Sequence, residues 1–330
     1  MKRRDFIRHG AVLLASAAAA QLPPVWRAWA AEAAHDWSRH PTPEISPNED
    51  FYITSKGYFH PRLKLGGWSL QVGGLVKNPK TFDLQSLAAL DRHKEVIGLE
   101  CVGNRIGGDA LDCAVWRGTR FGRLIEAVEP RSSAVDVVLY GADGYADSVP
   151  LSWFRTNFAL LASTMNGEPL PRSHGFPLRL LTPGIYGMKN VKWIKRVELV
   201  DADYQGYWQV RGWSDEAWVK PHARIDAPIS GAELPRGPTL VAGVAFTGNQ
   251  GVSKVELSFD RGRTWRPARL KAPRSPYSWV LWAYPWQAPE GFHTIAARCV
   301  DGRGRIQPKG PKGQAPDHAE MWHTIRVEVA

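Results

Sequence analysis

From about residue 222 to its C-terminus the chain alternates short apolar runs with glycine and proline turns, and no helical stretch intervenes. The runs fall at 239–247, 253–260, 265–270, 279–284, 292–300 and 322–329. Turns such as Asp260-Arg261-Gly262-Arg263 and Asp301-Gly302-Arg303-Gly304 separate them. Strands at this spacing, with no helix to cover them, bury their apolar faces by stacking two antiparallel sheets, so the last hundred or so residues predict a β-sandwich. That places a domain boundary near residues 220–230. A chain of 330 residues is also longer than one core usually organises, so a second unit must precede the sandwich.

That preceding unit, 48–221, reads as mixed α+β. Residues 68–74 alternate like a strand ending in a glycine turn, and 135–140, 176–181 and 191–200 read as further strands. The apolar spacing predicts short helices over 84–90 and 121–128, the second following a turn at Trp116-Arg117-Gly118. Residues 32–47 are polar, carry Pro41, Pro43 and Pro47, and read as a linker. No internal repeat is evident.

Within this unit the stretch Gly98-Leu99-Glu100-Cys101-Val102-Gly103-Asn104-Arg105-Ile106-Gly107-Gly108 stands out. A short strand, 95–99, delivers a cysteine into a turn rich in residues that accept unusual backbone angles, which lets the chain wrap closely around a ligand. A thiolate there suits a transition metal held at one position and left open at others. A small buried hydrophobe is the other reading of Cys101. The remaining cysteines, Cys113 and Cys299, fall in different predicted units, so no structural disulfide is expected.

The N-terminus, Met1-Lys2-Arg3-Arg4-Asp5-Phe6, followed by the alanine-rich run 11–20 and Ala28-Trp29-Ala30, predicts a twin-arginine signal peptide over 1–31. The apolar run is too short and alanine-rich for a membrane anchor. Export by that route delivers folded protein to the periplasm, commonly around a cofactor loaded beforehand, which strengthens the metal reading of Cys101. Residues 1–30 hold a net charge of +4, leaving +6 of the formal +10 on the remainder. Those basic residues are scattered, which favours a small acidic ligand or acidic partner over nucleic acid.

Several motifs together resemble the sulfite oxidase family of molybdopterin enzymes. They are Cys101-Val102-Gly103-Asn104-Arg105, Trp116-Arg117-Gly118-Thr119-Arg120, the long run from Met165-Asn166-Gly167 through His174-Gly175-Phe176-Pro177-Leu178-Arg179, and Val191-Lys192-Trp193. In the tail, Val255-Glu256-Leu257-Ser258-Phe259-Asp260-Arg261-Gly262 resembles that family's immunoglobulin-like dimerisation domain. The resemblance spans about residues 48–330. It implies an α+β molybdopterin-binding domain followed by an immunoglobulin-like β-sandwich, a homodimer, and one molybdenum–molybdopterin cofactor. By the same resemblance Cys101 ligates molybdenum, His174 and Arg179 hold the pterin and its phosphate, and Asn190, Val191 and Lys192 form a further cofactor-contact segment. Asp143 matches another pterin contact, and Tyr52 lies in the segment that begins to wrap the cofactor. Cationic donors suit a phosphate, and a carboxylate suits a pterin edge.

The sequence also departs from the sulfite-oxidising pattern. Thr54 and Ile106 stand where those relatives carry arginines, Trp213 stands at their pocket tyrosine, and a third arginine falls near Ala315 in an unmatched stretch. Sulfite is a compact dianion that needs fixed cationic donors to leave water. The expected activity is therefore two-electron oxygen-atom transfer on a substrate other than sulfite, with electrons exchanged with a separate redox protein such as a c-type cytochrome. Sulfite oxidation supported by Lys56, Lys309 or Lys312, sulfoxide reduction, and a non-catalytic binding protein with an inert Cys101 are the alternatives.

Overall fold

The computed structural model describes residues 36–57, 59–310 and 320–330. The predicted signal peptide, Lys312 and Ala315 lie outside the described residues. In chain order the first unit contains β1 (Leu70–Gly74), β2 (Lys80–Phe82), α1 (Leu84–Leu90), β3 (His93–Glu100), β4 (Leu111–Arg120) and α2 (Phe121–Val128). There follow β5 (Asp136–Gly141), β6 (Ala146–Pro150), α3 (Leu151–Thr156), β7 (Leu160–Met165), β8 (Glu168–Pro169), β9 (Arg179–Leu181) and β10 (Ile194–Val200). Two sheets result, ordered β2-β1-β10-β5-β6 and β3-β4-β7-β8, with β9 pairing β7.

The two helices expected from apolar spacing form at the expected residues. Asp83 caps α1 by accepting from the Ser86 amide at 2.7 Å, while the Ser86 hydroxyl reaches back to the Asp83 amide. On α2, Phe121, Leu124, Ile125 and Val128 make one buried stripe, and Glu129 closes the helix in the left-handed region. The predicted turn at Trp116 is not a turn. Residues 116–120 belong to β4, which pairs with both β3 and β7 and carries a register shift between Arg117 and Gly118. The shift explains the glycine, because a Cβ on Gly118 would lie 1.9 Å from the Leu161 carbonyl oxygen. The strand expected over 176–181 shortens to β9, since the preceding residues form a tight turn through Gly175.

The second unit contains β11 (His222–Ala227), β12 (Glu233–Leu234), β13 (Gly237–Phe246), β14 (Val252–Ser258), β15 (Arg266–Pro267), β16 (Arg269–Leu270), β17 (Val280–Ala288), β18 (Gly291–Asp301) and β19 (His323–Val329). They form the predicted sandwich, with sheets β11-β13-β17-β16 and β12-β19-β18-β14-β15. The run 265–270 splits between the two sheets, crossing over at Ala268. Inside the sandwich Val241, Ala245 and Trp282 meet Val255, Leu257, Ile295 and Ile325. Alternate residues of the first sheet, Val244, Phe246 and Leu281, turn the other way and join the core of the first unit. One sheet is thus buried on both faces, which explains the near-continuous apolar sequence of β13 and makes the two units one packed body.

The segment expected as a linker is packed where it is described. His40 and Ser46 are buried, His40 Nε2 lies 3.2 Å from the Trp282 carbonyl, and the Trp279 indole donates to the Glu44 carbonyl. Residues 36–47 therefore strap the sandwich to the first unit. Cys101, Cys113 and Cys299 are all unpaired, and among the described residues no helix is long and apolar enough to cross a membrane.

Gly118→Ala should lower the midpoint of chemical denaturation, because its Cβ forces β4 and β7 apart, at a cost of about 1–3 kcal/mol. An unchanged midpoint would show that the bulge relaxes freely.

Candidate functional site

Strand β3 ends at Glu100, and the chain then turns through 101–110 before returning as β4. Cys101 sits at the start of that turn, its amide donating to the Ala110 carbonyl at 3.0 Å. Its thiol opens into a cavity of about 270 Å³. Burial pushes the Cys101 thiol up, and hydrogen bonds from the Gly103 amide and the Thr54 hydroxyl pull it back down. Cys113 and Cys299 are fully buried, and burial pushes Cys113 up to about 12. The bland reading of a small buried hydrophobe fits those two; Cys101 alone faces the cavity.

Another part of the wall is cationic. Gly175, at φ +110°, ends the turn containing His174, and a Cβ there would lie 3.1 Å from the Cβ atoms of both Arg179 and Lys192. Glycine is what lets the two cations stand side by side. Arg179 is buried, its Nη1 donates to the His174 carbonyl at 3.2 Å, and its Nε has no hydrogen-bond partner. Lys192 Nζ donates to Ser55 Oγ at 2.8 Å and to the Ser173 carbonyl at 2.9 Å. Among the described residues neither cation has a carboxylate within salt-bridge reach. Burial pulls Arg179 down to about 10, and burial together with the Arg179 charge pulls Lys192 down to about 7. His174 is drawn down to about 4, first by burial and then by Arg179, so its ring is neutral. Buried cations left without acids are costly, and an anionic occupant removes that cost.

Tyr52, Asp143, Asn190, Val191 and Trp213 also line this cavity. Tyr52 stacks beside Phe51 with its amide held by Asp112 Oδ2 at 2.8 Å, and burial raises its phenol well above the usual value. Asp143 lines the wall near Lys192 and accepts from the Tyr145 amide at 3.0 Å. Val191 is buried there, and Asn190 spends its amide on the Thr182 amide and the Ile185 and Tyr186 carbonyls, fixing the loop. Trp213 lies on the wall with Trp208 and Met188. Of the departures from the sulfite-oxidising pattern, Thr54 lines the cavity and Ile106 does not, because 105–108 turns away toward the sandwich. Lys56 lines it; Lys309 instead lies 5.6 Å from the Trp322 ring.

Two family models match in tandem, an oxidoreductase molybdopterin-binding domain over residues 58–208 and a Mo-co oxidoreductase dimerisation domain over 219–330. The chain belongs to the sulfite oxidase family of molybdopterin-dependent oxidoreductases. It is 28% identical to mitochondrial sulfite oxidase of Mus musculus over 86% of its own length, but spans only 62% of that protein. It is 26% identical to sulfite oxidase of Arabidopsis thaliana, covering 82% of this chain and 89% of the relative. Among solved structures, the sulfane dehydrogenase SoxCD of Paracoccus pantotrophus shares the fold, with a TM-score of 0.70 and 22% identity over 80% of this chain and 75% of that one.

The residues present fit the family's molybdopterin cofactor. No three His, Cys, Asp or Glu side chains converge among the described residues, so a metal held here would draw most of its ligands from an organic partner, with the Cys101 thiol the soft protein group that faces the cavity. The unpartnered Arg179 Nε and the partly neutralised Lys192 are the donors a phosphate would satisfy. The sequence reading missed Trp208, Met188 and Tyr145 on the wall; only Trp208, in an aromatic cluster with Tyr207, carried a visible signal.

In the cofactor-free protein, inorganic phosphate should raise the melting temperature most below pH 7. Lys192 has a depressed pKa, so it is charged below about 7 and loses its proton as the pH rises through that value. Lys192→Gln should flatten this dependence. Stabilisation by phosphate that is equal at pH 6 and 8, to within about 1 °C, would contradict the assignment.

Proposed function

We propose that the chain catalyses two-electron oxygen-atom transfer on a small neutral or weakly charged substrate. The observation that carries this reading is an accessible thiol, Cys101, opening into the same cavity as the buried Arg179 and the half-buried Lys192, neither with a carboxylate in salt-bridge reach among the described residues. Bound molybdopterin supplies a molybdenum centre that exchanges an oxygen atom and two electrons with a substrate. The chain's own residues do the rest. Cys101 would offer a soft ligand, Arg179 and Lys192 would bind the phosphate, and Asp143 would meet the pterin edge. Neutral His174 adds a hydrogen-bonding group, its Nε2 held by the Asn48 carbonyl at 3.1 Å. Tyr52, Met188, Trp208 and Trp213 supply apolar walls that limit water.

The substrate reading follows from what surrounds the thiol. Thr54 is hydrogen-bonded to Cys101, where sulfite-oxidising relatives carry a cation, and Ile106 is outside the cavity. Among the described residues, the remaining cation on the wall after Arg179 and Lys192 is Lys56, whose ammonium is engaged with the Gly144 carbonyl at 3.0 Å and lies 5.0 Å from the Tyr207 ring. A sulfoxide or comparable molecule stacked on Trp213 suits such walls better than a dianion. The twin-arginine start supports a periplasmic location, and the dimerisation-type sandwich supports a homodimer. Electrons then pass singly to or from a separate carrier such as a c-type cytochrome; the sequence has no Cys-x-x-Cys-His run for a haem of its own.

A substrate panel assayed with an artificial electron dye in both directions tests this. Each missing charge-assisted hydrogen bond to a buried anion is worth about 1.5–3 kcal/mol, so sulfite should be turned over poorly and Thr54→Arg should raise its kcat/KM by about tenfold or more. A low-micromolar sulfite KM in the unaltered protein would show that Lys56 already serves as the sulfite cation.

A further inference from the structure

The turn that carries Cys101 is held largely from the other unit. Gly98, on β3, donates its amide to the Tyr277 carbonyl at 2.8 Å, and a Cβ on Gly98 would lie 2.8 Å from the Phe246 ring. Arg224 Nη1 donates to the Gly108 carbonyl at 3.0 Å. Gly107, at φ +73°, lies flat against His323, whose Nε2 would stand 2.3 Å from an added Cβ. Most of these contacts are backbone or steric. One is a buried polar pair.

Glu100, the residue next to Cys101, is fully buried, and its Oε1 accepts from His222 Nδ1 at 2.6 Å. His222 opens β11 of the sandwich and is itself buried. The same carboxylate oxygen accepts from Asn104 Nδ2 at 3.0 Å. Asn104 in turn ties the turn together, its amide donating to the Cys101 carbonyl and its Oδ1 accepting from the Ala110 amide. A chain of directed bonds therefore runs from β11 through Glu100 and Asn104 to both ends of the turn that starts with Cys101. Apolar packing would join the units without any of it, and burying a polar pair of this kind is costly. What directed bonds add is a fixed backbone orientation.

We propose that His222 is a positioning residue for the metal ligand: through Glu100 it fixes the turn that aims the Cys101 sulfur into the cavity, so the sandwich is part of the metal site as well as a structural partner. The proposal rests on Cys101 being the ligand, and on no titration of the pair.

Cysteine chemistry gives a readout that needs no cofactor. Cys101 is partly exposed while Cys113 and Cys299 are buried, so alkylation of native, cofactor-free protein reports Cys101 alone. His222→Leu, which fills the space without a donor, should speed Cys101 alkylation by about tenfold or more, because the turn opens locally. His222→Asn, which keeps a donor near the Nδ1 position, should stay within about threefold of the unaltered protein. Glu256→Gln, which breaks the remote Glu256–Arg298 pair of the sandwich, should leave the rate unchanged. Labelling of all three cysteines marks global unfolding, and Asn104→Ala, which removes the next link of the same chain, then replaces His222→Leu in the same comparison. In loaded protein the thiolate-to-molybdenum absorption, scaled per molybdenum, should shift in His222→Leu and not in Glu256→Gln. Alkylation of the folded His222→Leu variant at the unaltered rate overturns the proposal. Absence of the absorption band from unaltered loaded protein would instead overturn the ligand role of Cys101.

Discussion

Positive charge drawn out of water, with no carboxylate in salt-bridge reach among the described residues, is the constraint around which this cavity is built. Arg179 and Lys192 stand side by side because Gly175 permits it, and each is drawn below its ordinary pKa by burial. A protein tolerates such an arrangement when a bound anion completes it. The rest of the site follows: a neutral His174 beside Arg179, an Asn190 amide that fixes the loop on the cavity wall, and Cys101 opening into the same space. On the proposed reading, the phosphate end and the metal end of one cofactor would have separate partners in one cavity.

The second constraint is the doubly buried sheet of the sandwich. Because Val244, Phe246 and Leu281 join the core of the first unit while Val241 and Trp282 join the sandwich core, the two units cannot shift independently. The backbone that aims Cys101 is braced from behind by this sheet and its loops. A domain whose family description speaks of dimerisation also shapes the cofactor turn.

Much of this was legible in the sequence, for identifiable reasons. The stripes of α1 and α2 have a clear helical period, and the sandwich strands are bounded by glycine turns, so both emerged from local pattern. The cavity residues came from the family resemblance, which the continuous 165–179 and 190–192 motifs carry. What stayed hidden depended on pairing at a distance. Trp116-Arg117-Gly118 looked like a turn, yet its glycine serves a bulge against β7. Residues 36–47 looked like a linker because polar side chains and prolines do not reveal that His40 and Ser46 are buried. His222 is an isolated histidine at a unit boundary, and only the fold brings it to Glu100. Ile106 aligned with a pocket position by count, but the turn carries it away from the cavity.

On the proposed reading, a single protein sulfur, from Cys101, meets a molybdenum held otherwise by its organic cofactor. X-ray absorption at the molybdenum edge of the loaded protein, compared with Cys101→Ser, tests it most directly. The variant should keep its pterin, bound through Arg179 and Lys192, and show one sulfur neighbour fewer at the metal. An unchanged sulfur shell in Cys101→Ser would contradict it.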